Sequence, residues 1–368
     1  MKNAFLSLGL RKAVMSFAVF LSIFIMYLRS YGWVGEEFVS GYMIGLLVLC
    51  LIILIQVKQP RQTLKKILLF FLVSACVLLG SGDANLVITI AIATLLLNNK
   101  REDFIRVFFF SSLILYLITV LLFAMNILPQ TPFVDLTVDV KTTVYSLGFK
   151  NPNSAFLYFM PIMFGGYYLY NKRPIIRTII TLIGATIIFI LTGSRTGILV
   201  VLLFLILALI VTPKMMQTLK HIALSMYPAT IILSIVLAIL FYANSDINSL
   251  FTYRPSRWHD AITECGIATL SGGCSASLID NFPLYLMIFV GLPGFLVYTY
   301  ILIRGALLER DYRILLIYCV VVIYGMTERF TISYYANFTL VLLVYNIFTY
   351  AKAVINKRSD GKIGRIES

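Results

Sequence analysis

The chain is patterned as long unbroken apolar runs divided by short polar segments. Twelve such runs lie near 13–28, 40–57, 67–81, 84–98, 104–126, 154–170, 176–193, 197–213, 222–242, 282–303, 314–327 and 331–350. A membrane-crossing helix needs about 20 apolar residues. Most runs have about that length; the third, fourth and eleventh are shorter. No run alternates with a two-residue period, so the runs predict helices and not barrel strands. The pattern predicts an all-α polytopic membrane protein of about 12 transmembrane helices, forming a single domain over 1–368. Two connections are long, 127–153 and 243–281, and the rest are turns.

Composition excludes the alternatives. Hydrophobic residues make up 60% of the 368 positions and charged residues only 12%, with mean hydropathy +0.93. A soluble domain carries about 25% charged residues. The formal charge of +14 raises the question of nucleic acid. Its distribution answers it, because Lys and Arg accumulate on the cytoplasmic side of membrane proteins. With the N-terminus inside and the runs alternating, only seven of the 30 basic residues fall outside: Arg29, Lys141, Lys150, Arg195, Arg254, Arg257 and Arg329. The basic excess is then a topology signal, with both termini cytoplasmic and no nucleic-acid partner. The first run lacks a small-residue cleavage site and reads as a first span. Phosphate-binding G-x-x-x-x-G-K-[ST] and dinucleotide-binding G-x-G-x-x-G motifs are absent from the sequence. Two histidines and five scattered cysteines give no metal pattern, so neither metal nor cofactor is expected.

Candidate chemistry concentrates in the outer segments. Thr192 to Gly197 reads T-G-S-R-T-G. Its glycines allow a turn whose N–H groups face an anion, with Ser194 and Arg195 at the centre. Arg195 snorkelling to lipid headgroups is the plainer reading. Tyr253-Arg254-Pro255-Ser256-Arg257-Trp258-His259 places two arginines three apart, on neighbouring positions of a helix. Guanidinium forks match phosphate oxygens, and the Trp258 ring offers a stacking face for a sugar. A surface amphipathic helix is the alternative. Asp280-Asn281 precedes the tenth run, where an Asp serves either as a base or as a helix cap. Lys150-Asn151-Pro152-Asn153 opens the sixth run and reads equally as turn chemistry. Glu328-Arg329 lies in the last outer turn, as a surface pair or as part of a site. Asp260 and Glu264 stand behind Asp280 as base candidates. Cys265 and Cys274 fall in the large outer loop and are candidates for a disulfide in an oxidising space, whereas Cys50, Cys76 and Cys319 lie in apolar runs as packing residues.

Taken in order, G-F-K-N-P-N at 148–153, T-G-S-R-T-G, Y-R-P-S-R-W and I-D-N-F-P-L-Y-L…G-L-P-G-F from Ile279 to Phe295 resemble the Wzy-type polysaccharide polymerases and the related O-antigen ligase-like membrane glycosyltransferases. The resemblance implies a GT-C-like fold with short helices in the large extracytoplasmic loop. It implies an enzyme of the bacterial cytoplasmic membrane that acts on its outer face. There, repeat units carried on undecaprenyl pyrophosphate would be joined. The growing chain is donor, the lipid pyrophosphate leaves, and a hydroxyl of the next unit accepts. Ligases of the family have a His-Asn pattern where this chain has Asp280-Asn281, which favours polymerase over ligase and makes Asp280 the aligned base. Arg195, Arg254 and Arg257 would hold the diphosphate. Lys150, Asn151, Asn153, Ser194, Tyr253, Trp258, His259, Asn281, Glu328 and Arg329 complete the expected substrate contacts. Membrane lipids are the other partner, and the family reading leaves open whether a chain-length regulator binds. A flippase of lipid-linked sugars is the rival class, but it should place ionisable residues near the bilayer midplane, and here they gather at run ends. The enzyme reading requires cations from separate turns to converge on one pocket.

Overall fold

The structure is a computed structural model that describes residues 8–56, 59–97, 99–128, 133–134, 143–170, 172, 174–251, 253–266, 272–274, 279–328 and 333–359. It is helical apart from one two-residue antiparallel pair, β1 (Phe133–Val134) and β2 (Thr143–Val144). The helices are α1 (Leu8–Ser30), α2 (Glu36–Gln56), α3 (Arg61–Ser81), α4 (Asn85–Leu96), α5 (Arg101–Ala124), α6 (Pro152–Leu169), α7 (Pro174–Thr192), α8 (Arg195–Ile210) and α9 (Met216–Leu240). They continue with the short α10 (Ser245–Leu250) and α11 (Arg254–Cys265), then α12 (Phe282–Tyr285), α13 (Gly291–Leu308), α14 (Tyr312–Tyr324) and α15 (Phe338–Ser359). Every apolar run contains a helix, and the large loop carries two short ones. Among the described residues, seven helical segments are long and apolar enough to cross a membrane, consistent with a polytopic membrane protein.

Length and burial divide the helices. The 12-residue α4 is buried from Leu86 to Leu96 and is packed by α1, α2, α3 and α15. A helix that is apolar all round belongs in such a centre. The long helices α2, α3 and α7 stand at the periphery with bare aliphatic faces, including Ile55, Leu79 and Ile190. Such a surface fits lipid, since water would penalise it by about 25 cal/mol per Å². Cys50 and Cys319 are buried, whereas Cys76 is exposed on α3 and does not pack as the sequence suggested.

Two run boundaries move. The helix of the twelfth run, α15, starts at Phe338, seven residues late, because Asn337 Oδ1 accepts from the Thr339 N–H at 3.1 Å and defines a helix start there. Residues 333–337 are consequently a buried turn. The tenth run is interrupted: α12 passes through a π-helical turn at Leu286–Val290 into α13, where Gly291 adopts φ +81°. The Phe289 carbonyl in that turn accepts from Gly273 N–H at 2.7 Å, so the 272–274 segment docks on the interruption.

Candidate functional site: a charged cavity at one end of the bundle

The C-terminal end of α1 and the N-terminal ends of α2, α4 and α6 meet α11, the 280–289 segment, Glu328 and the turn at 333–335 around a cavity of about 750 Å³. Local sequence builds its walls. Asn151 caps α6, accepting from Ser154 N–H at 2.8 Å with Pro152 opening the helix. This places Lys150, Asn151 and Asn153 on the cavity wall. Gly193 turns the chain at φ +63°, where a Cβ would lie 2.9 Å from Val144. At Gly197 a Cβ would sit 2.2 Å from the Phe156 ring. The glycines of T-G-S-R-T-G therefore serve a turn and the close approach of α8 to α6, and the Gly193 and Ser194 N–H groups donate to the Phe189 carbonyl and Thr192 Oγ1.

All five sequence signals meet in one hydrogen-bonded chain. Ser194 Oγ donates to Asn153 Oδ1 at 2.8 Å, and Asn153 Nδ2 donates to Glu328 Oε1 at 3.0 Å. Arg254 joins Glu328 through Nη2 at 3.3 Å and Asp280 Oδ2 through Nε at 3.0 Å. Its Nη1 donates to the Thr327 carbonyl at 2.8 Å. The Trp258 indole N–H donates to Asp280 Oδ1 at 3.1 Å. Asp280 is thus held by a guanidinium and an indole, and it is not the helix cap. Asn281 caps α12 instead, accepting from Leu284 N–H at 3.0 Å.

The two α11 arginines part company. Three residues along a helix is a rotation of about 300°, which leaves side chains about 60° apart. That offset turns Arg254 inward to the two carboxylates, while Arg257 is exposed and lines the cavity. The expected anion-binding couple is therefore not formed. Lys150 and Arg257 line the cavity, and neither side chain makes a hydrogen bond or ion pair among the described residues. A third cation, Arg29 at the end of α1, lines the same space. Three of the seven basic residues that the topology reading leaves outside thus meet here.

Other expected contacts lie elsewhere. Arg195 is exposed at the start of α8 and does not line the cavity. Trp258 is buried, so its ring is closed to a sugar. Asn281 is buried, with its amide donating to Ser234 Oγ and the Met326 carbonyl. His259 stacks on Tyr242 with ring centres 3.6 Å apart, and its Nδ1 lies 3.1 Å from the Ala238 carbonyl. Tyr253 is exposed in a left-handed turn preceding α11. Neither Tyr253 nor His259 lines the cavity. Asp260 and Glu264 are exposed on α11, also away from it. Arg329 lies outside the described residues. Cys265 and Cys274 form a disulfide that ties the end of α11 to the segment docked on the π-helical turn.

Sequence reasoning placed Arg29 outside without assigning it to the site, and missed Asp83 and Tyr335. Asp83 lines the cavity from the α3–α4 turn, accepting from Asn85 N–H at 2.7 Å and from Tyr285 Oη at 3.4 Å. S-G-D in a short outer turn was the available signal for it. No group of three or more His, Cys, Asp or Glu able to hold a metal occurs among the described residues. No family model, curated protein or solved structure matches the chain.

Proposed function

We propose that the protein is a membrane glycosyltransferase that polymerises oligosaccharide repeat units carried on undecaprenyl pyrophosphate. In this reading it has twelve spans and both termini in the cytoplasm, and it works at the outer face of a bacterial cytoplasmic membrane. One observation carries the proposal: a cavity at a single end of an apolar bundle presents Lys150 and Arg257 without counterions among the described residues, next to hydrogen-bonded carboxylates.

The chemistry follows from the lining. A lipid diphosphate is a polyanion, and neighbouring cations without partners lower its energy most as charge develops on the leaving group. Guanidinium and ammonium groups both suit phosphate oxygens. Met26, Val39, Met43, Leu78 and Ile88 supply an apolar wall beside them for the first carbons of the lipid. Asp280, fixed by Arg254 and Trp258, takes the proton of the acceptor hydroxyl. The acceptor oxygen then bonds the anomeric carbon as the bond to the pyrophosphate oxygen breaks. Arg254 and Glu328 are positioning residues in this scheme.

The test is genetic and chemical. Cells lacking the gene should lose long surface glycan and retain single-unit material on the lipid. The wild-type gene should restore the long chains, and Arg257→Ala should restore expression only. Complete, finished glycan remaining on the lipid would indicate a ligase instead. Repeat units trapped facing the cytoplasm would indicate a flippase.

A further inference from the structure

A polymerase site faces a discrimination problem that its cations cannot solve. Substrate and spent carrier both present a lipid diphosphate. Lys150 and Arg257 would hold the two alike, and the product would block the site. Preference for the sugar-bearing form must come from groups that recognise the sugar. Trp258, the ring that the sequence offers, is buried against Asp280.

The cavity provides another ring. Tyr335 lines it and is half-buried, in the turn created by the late start of α15. It stacks on Tyr158 with centroids 5.4 Å apart and planes at 28°. Tyr158, also on the cavity wall, stacks on Phe149 at 5.0 Å and 21°. Tyr334 packs edge-on against Tyr335 at 5.5 Å. Three piled rings with a fourth at the edge form a rigid platform, so little conformational entropy is lost when a ligand settles on it. The negative face of an aromatic ring attracts the weakly positive C–H face of a pyranose. Asn153 and Glu328 on the same cavity supply polar atoms for hydroxyls. The volume is that of a pocket for a drug-sized ligand, which exceeds the needs of a diphosphate alone.

We propose that Tyr335, backed by Tyr158, is the platform for the sugar ring next to the pyrophosphate and is what separates sugar-bearing substrate from bare carrier. The proposal rests on the polymerase reading and deepens it. Purified protein in nanodiscs is titrated with two probes. One is undecaprenyl pyrophosphate; the other is the lipid-linked repeat unit extracted from cells lacking the gene. Wild type should bind the sugar-bearing lipid about fivefold to tenfold more tightly, the scale of one good aromatic contact. Tyr335→Ala should bind both lipids equally, at the wild-type affinity for the bare one. Tyr335→Phe should keep the preference. Arg257→Ala should weaken both by the same factor. An undiminished preference in Tyr335→Ala, or its loss of both lipids alike, overturns the platform. Wild type that binds both equally overturns the platform while leaving the anion site standing. Wild type that binds neither overturns the polymerase reading and the platform with it.

Discussion

The two ends of the helix bundle use the same charged residue types in opposite ways. At the end away from the cavity, Glu309 is fully buried and receives five donors. Arg101 bonds it through two nitrogens at 3.1 and 2.5 Å, Asn346 at 2.9 Å, and the Arg310 and Asp311 N–H groups at 2.7 and 2.9 Å. Beside it Arg313 grips Asp311 and lies over the Tyr168 ring, and Arg177 lies over Tyr167. These interactions join α5, α6, α7, α14, α15 and the α13–α14 turn into a closed knot. At the cavity end Arg254 is similarly satisfied by Asp280 and Glu328, but Lys150 and Arg257 face open space. A charge saturated by protein groups holds helices together. A charge left facing a cavity is available to a ligand. The difference separates ions that hold the fold from ions that the proposed ligand would meet.

The sharpest way to break this comparison is to remove one ion from each end. Glu309→Ala strands the partly buried Arg101, leaves the Asn346 amide and two backbone N–H groups without their acceptor, and should destabilise the protein by about 3–5 kcal/mol, read as a large fall in Tm in detergent. Arg257→Ala removes an exposed group with no side-chain partner among the described residues and should change stability by less than about 0.5 kcal/mol. Under the polymerase proposal, the variant's polymer yield should nonetheless fall about 10²–10³-fold. A stable Glu309→Ala, or an Arg257→Ala that unfolds, would show that the two ends do not differ in kind.

The disulfide sharpens the comparison at the cavity end. It closes a short loop and ties α11 to the π-helical turn, two elements that both contribute to the cavity wall. Replacing both cysteines by alanine should cost about 2–3 kcal/mol by the loop-entropy account. The expected signature is a lower Tm, with free-thiol titration of the native wild type giving no reaction from this pair. Two reactive thiols in unreduced wild type would remove the strut.

Particular residues show where the sequence was informative and where it stopped. Helix positions were legible because lipid demands continuous apolar runs, whatever the tertiary contacts. Phe338 as a helix start was not, because 331–337 is apolar enough to continue the pattern and only the Asn337 side chain ends it. The meeting of Ser194, Asn153, Glu328, Arg254 and Asp280 was legible only as five outer signals, since the bonds span up to 175 residues of chain. Spacing alone could not divide Arg254 from Arg257. Which of the two is captured depends on Asp280 and Glu328, and both reach α11 from other elements. Tyr335 went unnoticed because an aromatic in an apolar run looks like packing until the run is found to start late.

The smallest effect tests the closed end in the way most specific to it, by protonation. Asp311 sits in the turn between α13 and α14. Burial there works against its charge, but the side-chain and backbone hydrogen bonds from Arg313 and the nearby Arg101 win, and its carboxyl titrates below the usual range. A carboxylate with a lowered folded-state pKa adds stability above its unfolded value of about 3.9. That contribution is lost as pH falls through the folded value. Asp311→Asn keeps the side-chain oxygen that caps α14 through Arg313 N–H at 3.0 Å, and removes the charge together with the Oδ2 acceptor of Arg313 Nη2. The variant should therefore melt below wild type at pH 7. The gap should persist to about pH 5 and narrow below the ordinary carboxylate range, as wild-type Asp311 itself becomes neutral. A gap that stayed constant from pH 7 to pH 3 would mean that Asp311 contributes through its shape and not its charge. The charge pairing of the closed knot would then rest on Glu309, beside the guanidinium–ring contacts of Arg177 and Arg313.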